Sequence, residues 1–118
     1  MLIVEQLNRV EEIGGNNYLY SYRMIKKEVV VPFYDCSTPI QGYGIEVERQ
    51  ELVNGVVVNI ERDIVATISP YRHKVRELLK VLYANCVSPI HLIDVLGEYI
   101  DEYVIDFNGS DFIKVCTN

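Results

Sequence analysis

His91, Asp94 and Glu98 stand at positions i, i+3 and i+7. On a helix of ~3.6 residues per turn they fall within about 60° of one another, so one imidazole and two carboxylates share a stripe. Those groups can bind a divalent cation, or serve as acid and base in a small-ligand or metal-dependent enzyme. The same stripe, continued by Asp101 and Glu102, is also what the water-facing side of any amphipathic helix presents. These three residues are the catalytic candidates of the chain. No cofactor site and no metal site is assigned, because the sequence holds no Walker-type loop, GxGxxG, GxSxG or zinc-ligand spacing.

Other reactive residues offer less. Cys36 could act as a nucleophile only beside a base, and the two histidines, His73 and His91, lie in no recognisable local signature. Ser88-Pro89-Ile90-His91 could hold an anion at a helix N-terminus, or simply begin a helix. Tyr18, Tyr20 and Tyr22 alternate along one face and could stack bases or a sugar. With only Arg23, Lys26 and Lys27 nearby they make no basic groove of the kind single-strand binders use, so they are expected to pack on a sheet with their hydroxyls reaching water.

The elements that would position these residues are two helices and the strands before them. A Ser-Pro pair occurs twice, at Ser69-Pro70 and Ser88-Pro89, each ahead of an apolar run at helical spacing. Serine is expected as N-cap and proline at the first helical position, where no N–H is needed. The first helix, Pro70 to Asn85, places Val75, Leu78, Leu79, Leu82 and Cys86 on one side and Arg72, His73, Arg76 and Lys80 on the other. The second, Pro89 to Val104, places Leu92, Ile93, Leu96, Ile100, Tyr103 and Val104 on its apolar face. One helix is net basic and the other net acidic, so ion pairs along a shared rim are expected. The connection, Asn85 to Ser88, is short enough for a helical hairpin or a helix-turn-helix. A DNA-reading second helix would offer arginine, lysine, asparagine or glutamine, whereas this one offers Asp94, Glu98, Asp101 and Glu102.

Everything ahead of Ser69 reads as sheet. Leu2 to Ile13 suits a strand or an irregular lead-in, and Gly14-Gly15-Asn16-Asn17 a hairpin turn. Tyr18 to Val31 alternates, Pro32 to Gln41 leaves the sheet as a loop, and alternation returns with Tyr43, Ile45 and Val47 against Glu46, Glu48 and Gln50. Asn54-Gly55 is the strongest hairpin signal, since both central residues of a type I′ turn need positive φ. The strand beyond it runs to Ile68 with a bulge expected near Arg62-Asp63. After the helices, Asn108 to Asp111 reads as a turn and Phe112 to Val115 as a segment able to join a sheet edge.

The expected architecture is therefore α+β: an antiparallel sheet of four to five strands built from hairpins, packed against a C-terminal two-helix hairpin. It forms a single domain over 1–118, mainly β over 1–68, helical over 69–104, with a turn and a final strand over 105–118. A formal net charge of −6 spread over both halves argues against nucleic acid and anionic lipid as partners. The N-terminus carries no signal-peptide pattern, and no apolar run approaches the roughly 20 residues that cross a bilayer. Three widely spaced cysteines without a CxxC suit reduced thiols in a cytoplasmic protein. A hydrophobic fraction of 49% leaves apolar surface to spare for a protein partner or a homodimer.

The run ISPYRHKVRELLKVLYANCVSPIHLIDVLGEYIDEY, with the upstream YGIEVERQELVNGVVVNIERD, resembles an uncharacterised family of small bacterial proteins common among clostridia and their relatives, a domain of unknown function. The likeness covers Tyr43 to Tyr103 and is most specific over SPIHLIDVLGEYID, Ser88 to Asp101; it does not extend to PFYDCSTPIQ or the tail after Val104. Membership implies a cytoplasmic protein of an anaerobic, often spore-forming bacterium. It brings no activity, cofactor or catalytic residue. The function expected is a non-enzymatic interaction or regulatory module, using the acidic stripe of the second helix or an exposed sheet edge; a small enzyme centred on His91, Asp94 and Glu98 is the alternative.

Overall fold

Two glycine-containing pairs set the topology. Gly14 and Gly15 have φ of +59° and +85°, and Asn54 and Gly55 +51° and +78°, the double positive φ that joins antiparallel strands through two residues. The first joins β1 (Leu2–Ile13) to β2 (Asn16–Val29), the second β3 (Ile40–Val53) to β4 (Val56–Ser69). A computed structural model describes residues 1–29 and 40–103. The strands form one antiparallel sheet in the order β1-β2-β3-β4. Because Asn17 pairs with Leu52, both tight turns lie at the same end, here called the distal end.

After β4 come α1 (Arg72–Ala84), a single 3₁₀ turn (Pro89–His91) and α2 (Leu92–Tyr103). A 14-residue strand is ~46 Å long, whereas helices of 13 and 12 residues are only about 20 Å long. The helices therefore cover part of the sheet and, among the described residues, leave the distal end bare. Val75, Leu78, Leu79 and Leu82 of α1, with Leu92 and Leu96 of α2, close over Tyr20, Tyr22, Met24, Ile45, Val47 and Ile68. Each such side chain contributes about 1.5–3 kcal/mol when fully buried, so this cluster is what holds helices to sheet.

The alternation expected of β2 and β3 is present: Tyr22 faces Val47 and Met24 faces Ile45 toward the helices, while Arg23 faces Glu46 on the other side. Several local expectations are corrected. Asn16 and Asn17 belong to β2 rather than the turn, and Ile40 and Gln41 to β3 rather than the preceding loop. β4 advances four residues, Val65 to Ser69, where β3 advances two, Ile45 to Tyr43, and Val58 is inserted opposite Glu51 and Leu52. The irregularities thus flank Arg62-Asp63 rather than fall on it. At the proximal one the β4 backbone presses on β3: a Cβ at Gly44 would sit inside contact distance of the Val65 and Ala66 carbonyl oxygens, so only glycine fits.

Neither serine caps its helix through its side chain. Ser69 ends β4, and its Oγ accepts from the Tyr71 N–H at 3.1 Å, which moves the start of α1 to Arg72. At the second site Pro89 opens the 3₁₀ turn, closed by the His91 N–H donating to the Ser88 carbonyl at 3.0 Å, so α2 begins three residues later than expected. Leu92 and Leu96 are buried as expected and Ile100 and Tyr103 pack against the core, joined by Val95 and Tyr99, whereas Ile93, expected in the core, is 50% exposed. The arginines of α1 turn to β1 instead of α2: Arg76 Nε bonds both Glu5 carboxylate oxygens at 2.9 and 3.1 Å, and Arg72 Nη2 donates to the Val4 carbonyl. Lys74 does reach α2, its ammonium 5.0 Å from the centre of the Tyr103 ring.

The end of α1 is tied to β1 and β2. The Val87 and Cys86 N–H groups donate to the Leu82 and Tyr83 carbonyls, a Schellman closure that puts Cys86 at φ +50° where glycine is usual. Arg9 of β1 donates to the Tyr83 carbonyl as well, at 2.5 Å. Tyr22 OH donates to the Val87 carbonyl at 2.9 Å, so this hydroxyl does not reach water. Burial, with Cys86 beside it, pushes the phenol well above its ordinary range. Cys36, Cys116, Val104 and the turn and strand expected after it lie outside the described residues.

Candidate interaction surface

His91, Asp94 and Glu98 are all exposed. His91 sits in the 3₁₀ turn, its Nδ1 4.0 Å from Asp94 Oδ2 at the start of α2, and Glu98 lies one turn further along. The three share a stripe as their spacing implies, and among the described residues all three side chains stand open on the surface. Among the described residues no group of three His, Cys, Asp or Glu side chains is placed to hold a metal.

The surface that departs most from an ordinary protein exterior is on the sheet. Val56 to Ile60 are five consecutive exposed residues, VVVNI, at the start of edge strand β4. Val56 is 63% exposed, Val58 56% and Ile60 51%, and Ile64 follows further along. Val53 across the turn and Val10 and Ile13 on the other hairpin are also exposed. Such a run, rich in β-branched residues and without proline, is the composition that pairs with other strands.

The two edges are treated differently. β1 is guarded at its proximal half: a register irregularity lies between Ile3 and Glu5, Arg72 takes the Val4 carbonyl, and Arg76 spans to Glu5 across an open groove of about 210 Å³ lined by Glu5, Gln6, Leu7, Arg76, Leu79 and Lys80. On β4 the proximal half meets the 3₁₀ turn and α2, with a second open groove of about 300 Å³ between Glu61, Arg62, Asp63 and Pro89, Ile90. Distal to that groove, among the described residues, no helix packs on β4. Its guard there is the bulge at Val58.

On the face away from the helices, a charge lattice crosses three strands. Arg23 of β2 bridges Glu46 at 2.8 Å and Glu48 at 3.2 Å of β3, Arg62 of β4 pairs with Glu48, and Gln50 donates to Glu48 at 3.0 Å. Glu48 is only 3% exposed, hidden by its own partners. Burial alone would raise its pKa, but the bonds from Arg62 and Arg23 outweigh that, and the carboxyl titrates below the ordinary carboxylate range. Alternation places Glu48 on a water-facing side; the register that brings Arg23 and Arg62 to either side of it is not carried by any one strand. On the helix side, Arg49 pairs with Glu61 at 2.6 Å and lies over the Tyr18 ring. Both charged β4 residues next to the apolar run are thus already satisfied within the chain.

The signature of a family of unknown function, DUF6514, matches residues 1–102. The chain belongs to that family. The match takes in the N-terminal hairpin as well as the helices, a wider span than the Tyr43 to Tyr103 stretch that carries the resemblance in sequence, and so it includes both edges of the sheet. No curated protein and no solved structure matches the chain.

Proposed function

We propose that this member of the family is a small, non-enzymatic interaction module, cytoplasmic and of the clostridial bacterial type, that engages protein through the bare distal end of its sheet. The observation that carries the reading is the exposed VVVNI run on an edge strand. An edge of this kind offers its backbone groups to a further strand, and alternate apolar side chains supply the contact area. Cys86 as a free thiol suits a reducing compartment. No helix among the described residues is long and apolar enough to cross a membrane.

The test compares complexes isolated with the wild-type chain and with two variants. Ile60→Lys alters the β4 edge; Asp94→Asn with Glu98→Gln neutralises two carboxylates of the exposed stripe. The reading expects the first to lose its protein partner, whether another polypeptide or itself, and the second to keep it. Loss confined to the second would move the site to α2, and a metal or small ligand retained by the wild type but lost from the second would favour chemistry at His91, Asp94 and Glu98.

A further inference from the structure

Resting on the reading that the distal end of β4 is an association surface, we infer that its partner is the opposite edge of a second copy: chains add head to tail, β4 of one beside β1 of the next. The strand order β1-β2-β3-β4, antiparallel at every step, leaves β4 antiparallel to β1. A copy shifted sideways, turned only by the sheet's own twist, therefore meets β4 antiparallel. Each face of the sheet continues as itself.

Faces and charge select the register. Arg23 donates to Gln6 at 3.3 Å on the side away from the helices, so Gln6, Asn8 and Val10 lie there, as do Ile60 and Arg62, which face Gln50 and Glu48. Leu7, Arg9, Glu61 and Asp63 lie on the helix side. Registers that join like faces, with the turns of both copies near one level, set Ile60 opposite Asn8, Val10 or Glu12 of the neighbour. The first opposes Asp63 to Glu5 and the third Glu61 to Glu11, like charges that destabilise a sheet. The second has no like pair: Ile60 meets Val10, Glu61 meets Arg9, Arg62 meets Asn8, Asp63 meets Leu7 and Ile64 meets Gln6. Val58 is the extra residue against this neighbour, as it is against Glu51 and Leu52 within the chain. Beyond it Val57 meets Glu12, and Val56 meets Ile13. Val10 and Ile13, 64% and 52% exposed, are thus covered by Ile60 and Val56, themselves 51% and 63% exposed.

The helical layer agrees. The helix tied to β1, α1, carries Arg72, Lys74, Arg76 and Lys80 against Glu77 alone. The helix on β4, α2, carries Asp94, Glu98, Asp101 and Glu102 with no lysine or arginine. Head-to-tail addition sets the acidic helix of one copy beside the basic helix of the next, a complementarity that works against the repulsion of two chains each of net charge −6. Ile90, 70% exposed beside Glu61, Arg62 and Asp63, stands level with the neighbour's groove at Leu7 and Leu79, because Asp63 is opposite Leu7.

The experiment uses two full-length variants, Ile60→Lys, which blocks the β4 edge, and Val10→Lys, which blocks the β1 edge. Both positions are exposed, so circular dichroism should be unchanged. In sedimentation velocity the wild type should grow beyond a dimer as concentration rises, because a head-to-tail contact leaves a free edge at each end. Each variant alone should be monomeric, and an equimolar mixture should form a dimer through the one pair of intact edges left. With Cys36, Cys86 and Cys116 replaced by serine, Ile60→Cys and Val10→Cys should link to each other under mild oxidation and neither to itself. Directly opposed Cα atoms are about 4.5–5.5 Å apart, within disulfide reach. A monomeric wild type, a mixture that stays monomeric, or Ile60→Cys linking to itself as readily as to Val10→Cys overturns the inference. A monomeric wild type whose isolated complexes still depend on Ile60 overturns the second copy alone, whereas complexes indifferent to Ile60→Lys overturn the association surface itself.

Discussion

Val47 and Val56 are the same residue type in adjacent strands of one sheet, about 20 Å apart along it; the first is fully buried and the second 63% exposed. The proximal end, where Val47 lies, is roofed by α1 and α2. The distal end, where Val56 lies, extends past helices less than half as long as the strands. Hydropathy does not distinguish the two valines. Element length does, and the contrast separates a part of the molecule that folds the chain from a part that remains available to another one.

Substitutions should sort along the same line. Leu82→Ala in the proximal core should cost about 2–5 kcal/mol in chemical denaturation, with Ile60→Thr in the dissociated chain shifting stability by no more than about 0.5 kcal/mol; equal effects would erase the distinction. Gly44→Ala, which drives a methyl group into the β4 carbonyls, should cost about 1–3 kcal/mol, read from the same denaturation midpoint. Glu48→Gln should cost about 1–2 kcal/mol at neutral pH. Because the folded carboxyl titrates below its unfolded range, its contribution is full above the unfolded pKa, about 4.3, and is lost as pH falls through the folded value; the Glu48→Gln variant should lack that portion of the acid slope. One effect is a gain: Cys86→Gly relieves the left-handed backbone at the end of α1, worth about 0.5–1 kcal/mol net of glycine's unfolded-state entropy.

Much of the fold is legible in the sequence. The i, i+3, i+4, i+7 spacing of Val75, Leu78, Leu79 and Leu82 identifies the buried face of α1, and Asn54-Gly55 fixes the β3–β4 turn. Ile93 departs from its expected place because the face of α2 depends on where that helix begins, and the 3₁₀ turn at Pro89–His91 uses residues that look helical. The Tyr22 hydroxyl reads as water-facing, and finds instead a carbonyl beside the Schellman closure 65 residues away. Glu48 reads as surface because its two arginine partners come from other strands. The bare end is the hardest to read: its valines look like core until strand length is set against helix length.

Amide hydrogen exchange of the chain alone and in the complexes isolated with it bears most directly on the claim that the distal end of the sheet is an association surface. Amides of Val56 to Ile64 should gain protection in the complex while those of Tyr20 to Met24 stay constant. Protection of the β4 segment that is the same in the complex as in the chain alone would contradict it.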